Sequence, residues 1–411
     1  MQQPDEHSGS HQTRRGLSRD TTMIFAVAAG VSVANIYYAQ PLLDVIAQDV
    51  RIAPSDIGLV VTLTQVGYAL GLIFFVPLGD LIDRRRLILG QGVLSVIALI
   101  VVGTSNTGPI LLAGLAAMGL LAVMVQVLVA FAASLSVPAQ RGRTVGIVTS
   151  GVVVGILAAR LVAGFLADLG GWRAVYLTSA MLTAGMVVLL MRVLPKQPSP
   201  NNRNSYVETV RSTAVLFLRD RILLVRGLLA SLIFASFSAF WTALALPLSA
   251  PPVSYSLTQI GMLGLLGIAG ALAAAGAGKL ADRGLGQWTT GSSLVLLLAS
   301  WALIAMMPIS LLFLFAGIVL LDLAVQAIHV TNQSIILARY PDASSRLIGG
   351  YMVFYSIGSA IGAISSTVAY AYGGWSGVSM IGAGFCAIAL SQWGATLRLT
   401  TERTQRGAST S

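Results

Sequence analysis

The sequence predicts an all-α membrane protein of twelve transmembrane helices, arranged as two homologous six-helix halves with both termini cytoplasmic. Three observations carry this expectation. Of the 411 residues, 56% are hydrophobic and 10% charged, against about 25% charged in soluble domains. The mean hydropathy is +0.83, and the apolar surplus falls in windows of about 20 residues, the length that crosses a bilayer as a helix. Landmarks also recur at an offset of 203: Gly58 with Gly261, Gly114 with Gly317, Pro138 with Pro341, Arg143 with Arg346, Gly146 with Gly349, Gly155 with Gly358, and Gly170-Gly171-Trp172 with Gly373-Gly374-Trp375.

Taken in order, residues 1–21 are a polar cytoplasmic tail, with no small-residue cleavage site of a removed signal. The first half, 22–194, places spans at 22–43, 57–78, 87–104, 108–133, 144–167 and 174–194. A cytoplasmic linker, 195–222, opens on the proline- and asparagine-rich 195–205, and Arg211, Arg219 and Arg221 follow in an expected amphipathic surface helix. The second half, 223–396, places spans at 223–248, 257–278, 288–308, 311–337, 347–371 and 375–396, before a cytoplasmic tail at 397–411. With the N-terminus inside, only Arg51 and Arg173 fall outside and Arg160 within a span, leaving 22 of the 25 basic residues inside. Such asymmetry orients helices in a membrane. It also accounts for the net charge of +10 without a nucleic-acid partner.

The lone cysteine, Cys386, excludes an intrachain disulfide, and the isolated His7 and His11 do not make a metal site. No phosphate-binding G-x-x-x-x-G-K-[ST] loop, zinc motif or nucleophile-base arrangement is present. The expectation is a protein that is not an enzyme, holds no cofactor or metal, and draws its energy from an ion gradient, a substrate gradient or a partner.

Two short stretches carry more. Pro77-Leu-Gly-Asp-Leu-Ile-Asp-Arg-Arg-Arg86 stands between two apolar runs and recurs, shortened, as Gly278-Lys-Leu-Ala-Asp-Arg283. This turn, with Asn35-Ile-Tyr-Tyr-Ala-Gln-Pro41 and Asp322-Leu-Ala-Val-Gln-Ala-Ile-His329, resembles the major facilitator superfamily over nearly the whole chain. Within it, the resemblance is to bacterial twelve-helix drug:proton antiporters and sugar-efflux-like permeases. That resemblance implies a major facilitator fold in the bacterial plasma (inner) membrane, a monomer, and a cytoplasmic gate of Gly79, Asp83, Arg84, Arg85 and Arg86 with Gly278, Asp282 and Arg283. Asp83 would brace the cytoplasmic ends of the two halves in the outward-facing state; the plainer reading has the arginines only retain the loop inside. The glycine usual before the last two arginines is missing. Ala159-Arg160 stands where the antiporter motif of the fifth helix has Gly-Pro, and Gln126 lacks the arginine that often precedes it by three.

Asp322 is the acid placed deep in a span, where a charge costs about 2.5–3.5 kcal/mol on insertion scales and usually has a task. Gln326, His329 and Gln333 follow at helical spacing, with Asn332 beside that stripe. The stripe either glues helices together or carries a proton on Asp322, with His329 as a second titrating group. Arg160 either holds an anionic group or is the counter-ion of Asp322. Its counterpart at 203 is Ala363, so the charge is no shared scaffold feature.

In the superfamily, helices one, four, seven and ten line the cavity. Mapped here, that implies Asn35, Tyr38, Gln40, Gln126, Phe234, Phe237, Trp241, Asp322 and Gln326. Phe234, Phe237 and Trp241 share a face by spacing, which serves packing or a binding wall. A polar and aromatic cavity suits an amphipathic small molecule better than a sugar. The expected function is export of small organic, drug-like compounds by proton antiport through alternating access. The alternatives are a sugar or amino-acid carrier and a non-transporting receptor or scaffold of the same fold.

Overall fold

The computed structural model describes residues 18–79, 81–137, 140–195, 206–339 and 344–408, and among them there are helices and turns but no strand. The linker residues 196–205, the first 17 residues, Pro138 and Pro341 lie outside the described residues.

The helices begin where side chains can satisfy their first N–H groups. Ser18 accepts from the Thr21 amide to open α1 (Arg19–Tyr37). A short 3₁₀ turn (Gln40–Leu42), entered through Pro41, leads into α2 (Leu43–Val50). Beyond α3 (Leu59–Leu78), Asp83 accepts from the Arg85 amide and opens α4 (Arg84–Thr104). The fourth apolar window divides at Val123 into α5 (Gly108–Ala122) and α6 (Met124–Leu135). Next come α7 (Arg141–Val193), the linker helix α8 (Tyr206–Arg219), and α9 (Arg221–Ala243), which is capped by Asp220. A five-residue α10 (Ala245–Ser249) follows. Ser256 and Gln259 form a capping box at α11 (Leu257–Met262), which continues through a 3₁₀ turn into α12 (Ile268–Leu280). The series closes with α13 (Gly286–Ala305), α14 (Leu311–Arg339) and α15 (Ser344–Ala408).

Among the described residues, nine helical stretches are long and apolar enough to cross a membrane. The 53 residues of α7 would span about 80 Å if straight, far beyond a core about 30 Å thick. Helix α7 breaks at Gly171 (φ 77°), and α15 breaks 203 residues later at Gly374 (φ 57°). Such left-handed backbone is open to glycine and strained for other residues. The sequence expected separate helices on either side of both glycines, with a loop of several residues between; one residue makes the turn.

The repeat in the sequence reappears as a repeat of contacts. Helix α1 packs on α7 with Gly30 against Gly155, so closely that a Cβ on Gly155 would lie 2.4 Å from the Gly30 carbonyl oxygen. On α15, a Cβ on Gly358 would lie 2.0 Å from the Ser231 carbonyl oxygen of α9. Small residues permit such approaches between membrane helices, where no aqueous hydrophobic effect drives association. Two more contacts join the first repeat to the second. A Cβ on Gly58 would sit 2.7 Å from the Ala363 carbonyl oxygen, and one on Gly261 would sit 2.4 Å from that of Arg160. Because 58 pairs with 261 and 160 with 363, these are one contact made twice with the partners exchanged. Large apolar side chains point outward instead: Met181, Leu272, Leu312 and Met380 are each about 70% exposed, as a lipid-facing surface requires.

Candidate functional site

The two repeats meet around a buried guanidinium. Arg160, on α7, is 3% exposed, and its Nε donates to Gln40 Oε1 at 2.8 Å. Pro41, in the first positions of the 3₁₀ turn, fixes the backbone that carries Gln40 inward. The Arg160 Cζ lies 3.9 Å from the Trp241 ring centroid, with Tyr37 at 5.3 Å and Phe237 at 6.0 Å completing an aromatic cage. Such cages stabilise a cation by about 2 kcal/mol or more when desolvated. The edge of the same indole serves the opposite charge: Trp241 Nε1 donates to Asp322 Oδ1 on α14 at 3.3 Å. Among the described residues, the ion pairs within 4.0 Å are Arg86 with Asp83, Arg173 with Asp49, and Arg339 with Asp220. Arg160 and Asp322 therefore face each other across Trp241 without touching. Arg160 Nη2 has no hydrogen-bond partner.

Glycines on the segment that packs against both charges make the room. A Cβ at Gly264 would reach Arg160 Cβ and Cδ at 3.3 Å, and one at Gly267 would reach Asp322 Oδ2 at 2.7 Å. The site is closed in this conformation. The space between Gln40, Arg160, Trp241 and Ile260 amounts to about 10 Å³, at the lower edge of what one water needs.

A second buried cluster adjoins the first through Phe234, whose ring lies 4.1 Å from Tyr355 and 5.1 Å from His329. The Tyr355 and Tyr37 hydroxyls share a 2.7 Å hydrogen bond, a direct link between the repeats. His329 Nδ1 lies 3.0 Å from the Tyr351 hydroxyl, and Gln333 Nε2 lies 3.2 Å from His329 Nε2. An amide nitrogen only donates, so the network assigns the acceptor to Nε2 and the ring proton to Nδ1. Both ring nitrogens of His329 are thus engaged.

Several expected cavity residues lie elsewhere. Asn35 accepts from Ser179 at 2.7 Å and Tyr38 stacks edge-on against Tyr176, both inside the first repeat. One residue is about 100° of helix rotation; it is Tyr37 that faces the second repeat. Gln126 donates to the Tyr68 hydroxyl at 3.3 Å, a helix-to-helix tie. Gln326 is half-buried, 3.1 Å from where a Gly270 Cβ would stand, and makes no hydrogen bond among the described residues.

The arginine turn is anchored within its own repeat. Arg84 donates to the carbonyls of Gly79 (2.8 Å) and Ala130 (3.3 Å), and Arg85 to that of Met191 (2.7 Å). Asp83 caps α4, with Arg86 Nε at 3.9 Å. These contacts tie four helix ends together. In the second repeat, a Cβ on Gly278 would lie 3.7 Å from Val330 Cγ1, Arg283 is exposed, and the side chain of Asp282 lies outside the described residues.

Arg226 escaped the sequence reading, which counted it with the inner loops. It is 1% exposed on α9 and donates to Thr290 Oγ1 (3.1 Å) and Asn332 Oδ1 (3.0 Å). Its position four residues inside the seventh apolar window was the available signal.

The fold agrees with the comparisons. The Major Facilitator Superfamily model matches residues 25–312 and 228–410. The chain belongs to the major facilitator superfamily. It is 44% identical over 377 residues to the uncharacterized transporter YgaY of Escherichia coli O157:H7, covering 92% of this chain and 95% of the relative. It is 31% identical to "Probable transporter SCO4007" of Streptomyces coelicolor, covering 87% and 83%. In fold it is similar to a bacterial homolog of the human lysosomal transporter Spinster in an inward-facing, unoccupied conformation, with a TM-score of 0.76, 14% identity, and 94% and 97% coverage. The chain is a multi-pass membrane protein of a transporter superfamily, and its relatives are transporters.

Proposed function

We propose that this chain is a monomeric, twelve-helix secondary transporter of the bacterial inner membrane, exporting small amphipathic organic compounds in exchange for protons. Nine spanning stretches, two of them folded at Gly171 and Gly374, together with the interrupted stretch 257–280, are compatible with twelve crossings and with halves at 22–194 and 223–396.

One observation carries the reading. Asp322 is 5% exposed, has one hydrogen bond, and lies beside a cation that does not pair with it. A carboxylate so placed can exchange a proton when its surroundings change. Arg160 comes from one repeat and Asp322 from the other, so rocking the repeats apart changes those surroundings. In this role Asp322 takes the proton, Arg160 tunes it, and His329 holds Phe234 and Tyr351 in place. Phe237, Trp241 and Gln40 line the substrate's path. The gate of Asp83 and Arg84–Arg86 closes against the second repeat in the opposite conformation, with Gly278, Asp282 and Arg283 as its counterpart.

Inside-out vesicles with an imposed proton gradient and a pH-sensitive dye test this. A panel of lipophilic cations, antibiotics, sugars and amino acids should contain compounds that trigger proton release from wild type and none from Asp322→Asn. Release that persists in the folded mutant removes Asp322 from the coupling.

A further inference from the structure

The charges at the centre are separated rather than paired, and this points to the electrical form of the cargo. Resting on the transporter reading above, we infer that the transported compound is amphoteric: an anionic group binds Arg160, a cationic group binds Asp322, and an apolar body lies against Trp241.

Three observations meet here. Arg160 uses one of its five donors, on Gln40, and Nη2 is buried without a partner. A planar guanidinium with free N–H groups is built to take a carboxylate or a similar oxyanion. Asp322 has one contact on Oδ1, from the indole, while Oδ2 faces Gly267, where no side chain intervenes. Trp241 holds the two charges apart while binding each, the cation by its face and the anion by its edge.

A ligand with a single charge satisfies one partner and brings a like charge toward the other. An anion on Arg160 would stand near the Asp322 carboxylate, and a cation on Asp322 near the guanidinium. An uncharged ligand leaves both unmet. A molecule bearing both charges on a short frame answers the two groups together. The glycine face of Gly264 and Gly267 provides the side on which its body can rest once the repeats separate. Because one anchor belongs to each repeat, such a molecule also draws the two walls together, and a proton arriving on Asp322 competes with its cationic group. The latter gives exchange of proton for cargo the required sign.

The charged and titratable groups around this centre are Arg160, Asp322, Tyr37 and Tyr355, with His329 and Tyr68 beside Tyr355. Tyr37 and Tyr355 are hydrogen-bonded to each other, which leaves the two charges as the anchors.

The test uses the full-length protein and matched quartets of ligands. For phenylalanine, tryptophan and leucine bodies, the free amino acid is compared with its amide (cation), its N-acetyl form (anion) and its N-acetyl amide (neutral). Binding is read from the concentration dependence of thermal unfolding in detergent and from counterflow in proteoliposomes. The expected result is a zwitterion bound about tenfold or more tightly than the other three on at least one body. Arg160→Gln should shift the preference to the cation and Asp322→Asn to the anion. Arg160→Lys, which keeps the charge, should retain the zwitterion with weakened affinity, and it covers the case in which Arg160→Gln fails to fold. No preference for the zwitterion on any body, including no binding at all, overturns the inference. So does a preference that neither substitution moves. Zwitterion binding without proton release would refute the antiport reading and leave the inference standing. Proton release triggered by cations alone, with Arg160 indifferent, would do the reverse.

Discussion

The seam between α7 and α11 offers a sharp perturbation. In Gly261→Ala, the new Cβ would stand 2.4 Å from the Arg160 carbonyl oxygen, 2.9 Å from its carbon and 3.0 Å from Leu161 Cα. All three are main-chain atoms, so no rotamer relieves the clash. Ordinary contact starts at 3.4 Å, and the helices must part by about 1 Å. Overpacking of this kind costs about 1–3 kcal/mol, charged only to the conformation in which the seam is closed. That corresponds to a fall in the ratio of closed to open conformations of about 5- to 150-fold.

The assay needs a buried reporter at the companion seam. Ala363→Cys provides one, since Ala363 is fully buried under Gly58 and the native Cys386 is also buried. Labelling of whole cells by a membrane-impermeant maleimide should accelerate in Gly261→Ala by up to that factor. Gly185→Ala is the control: a Cβ there meets nothing within 4 Å, and labelling should not change. A folded Gly261→Ala that labels at the parent rate would refute the reasoning that this seam and its companion open together.

Three further outcomes follow from the centre. Gln40→Leu removes the acceptor of Arg160 Nε and should destabilise the purified protein by about 1.5–3 kcal/mol, seen as an earlier thermal transition, whereas Gln40→Glu should restore or raise stability while abolishing transport by neutralising Arg160 internally. Tyr37→Phe and Tyr355→Phe each break the 2.7 Å link between the repeats and should cost about 1 kcal/mol; a double mutant close to either single one, with a coupling of about 0.5–1.5 kcal/mol, is the expected cycle. Trp241→Phe keeps a ring for Arg160 but removes the N–H from Asp322, so it should fold normally while shifting the pH at which substrate-triggered proton release is half-maximal; an unchanged profile would show that the indole does not set the carboxylate's proton affinity.

The helical membrane character was legible because the nine spanning stretches among the described residues satisfy their own backbone hydrogen bonds and show the bilayer an apolar window. Asp322 and Arg160 were legible for the complementary reason, as charges where charge is expensive. Their relation was not. Spacing along α14 could align Asp322, Gln326 and His329, but it could not show that Asp322 turns to Trp241 and Gln326 to α12. Tyr38 was expected at the site, and Tyr37 stands there, because choosing between adjacent helix positions requires knowing the neighbouring helix. Arg226 was hidden for a related reason: a charge near a span's end looks exposed until the helices around it are placed. Glycine positions, by contrast, carried over well. Gly58, Gly155, Gly261 and Gly358 each mark a close approach because the sequence repeats them and sterics leave few substitutes.

Those glycine contacts separate two kinds of work. At these glycine seams the repeats bear on each other through main chain meeting main chain, without reference to any cargo, while on the proposed reading recognition rests on a few side chains between them. On that reading, exchanging the side chains of Arg160, Gln40 or Trp241 would alter what is carried and leave the glycine seams untouched. A chain built this way can change cargo by substitution at its centre while its motion stays the same, a modular economy in which one mechanical frame serves many chemistries.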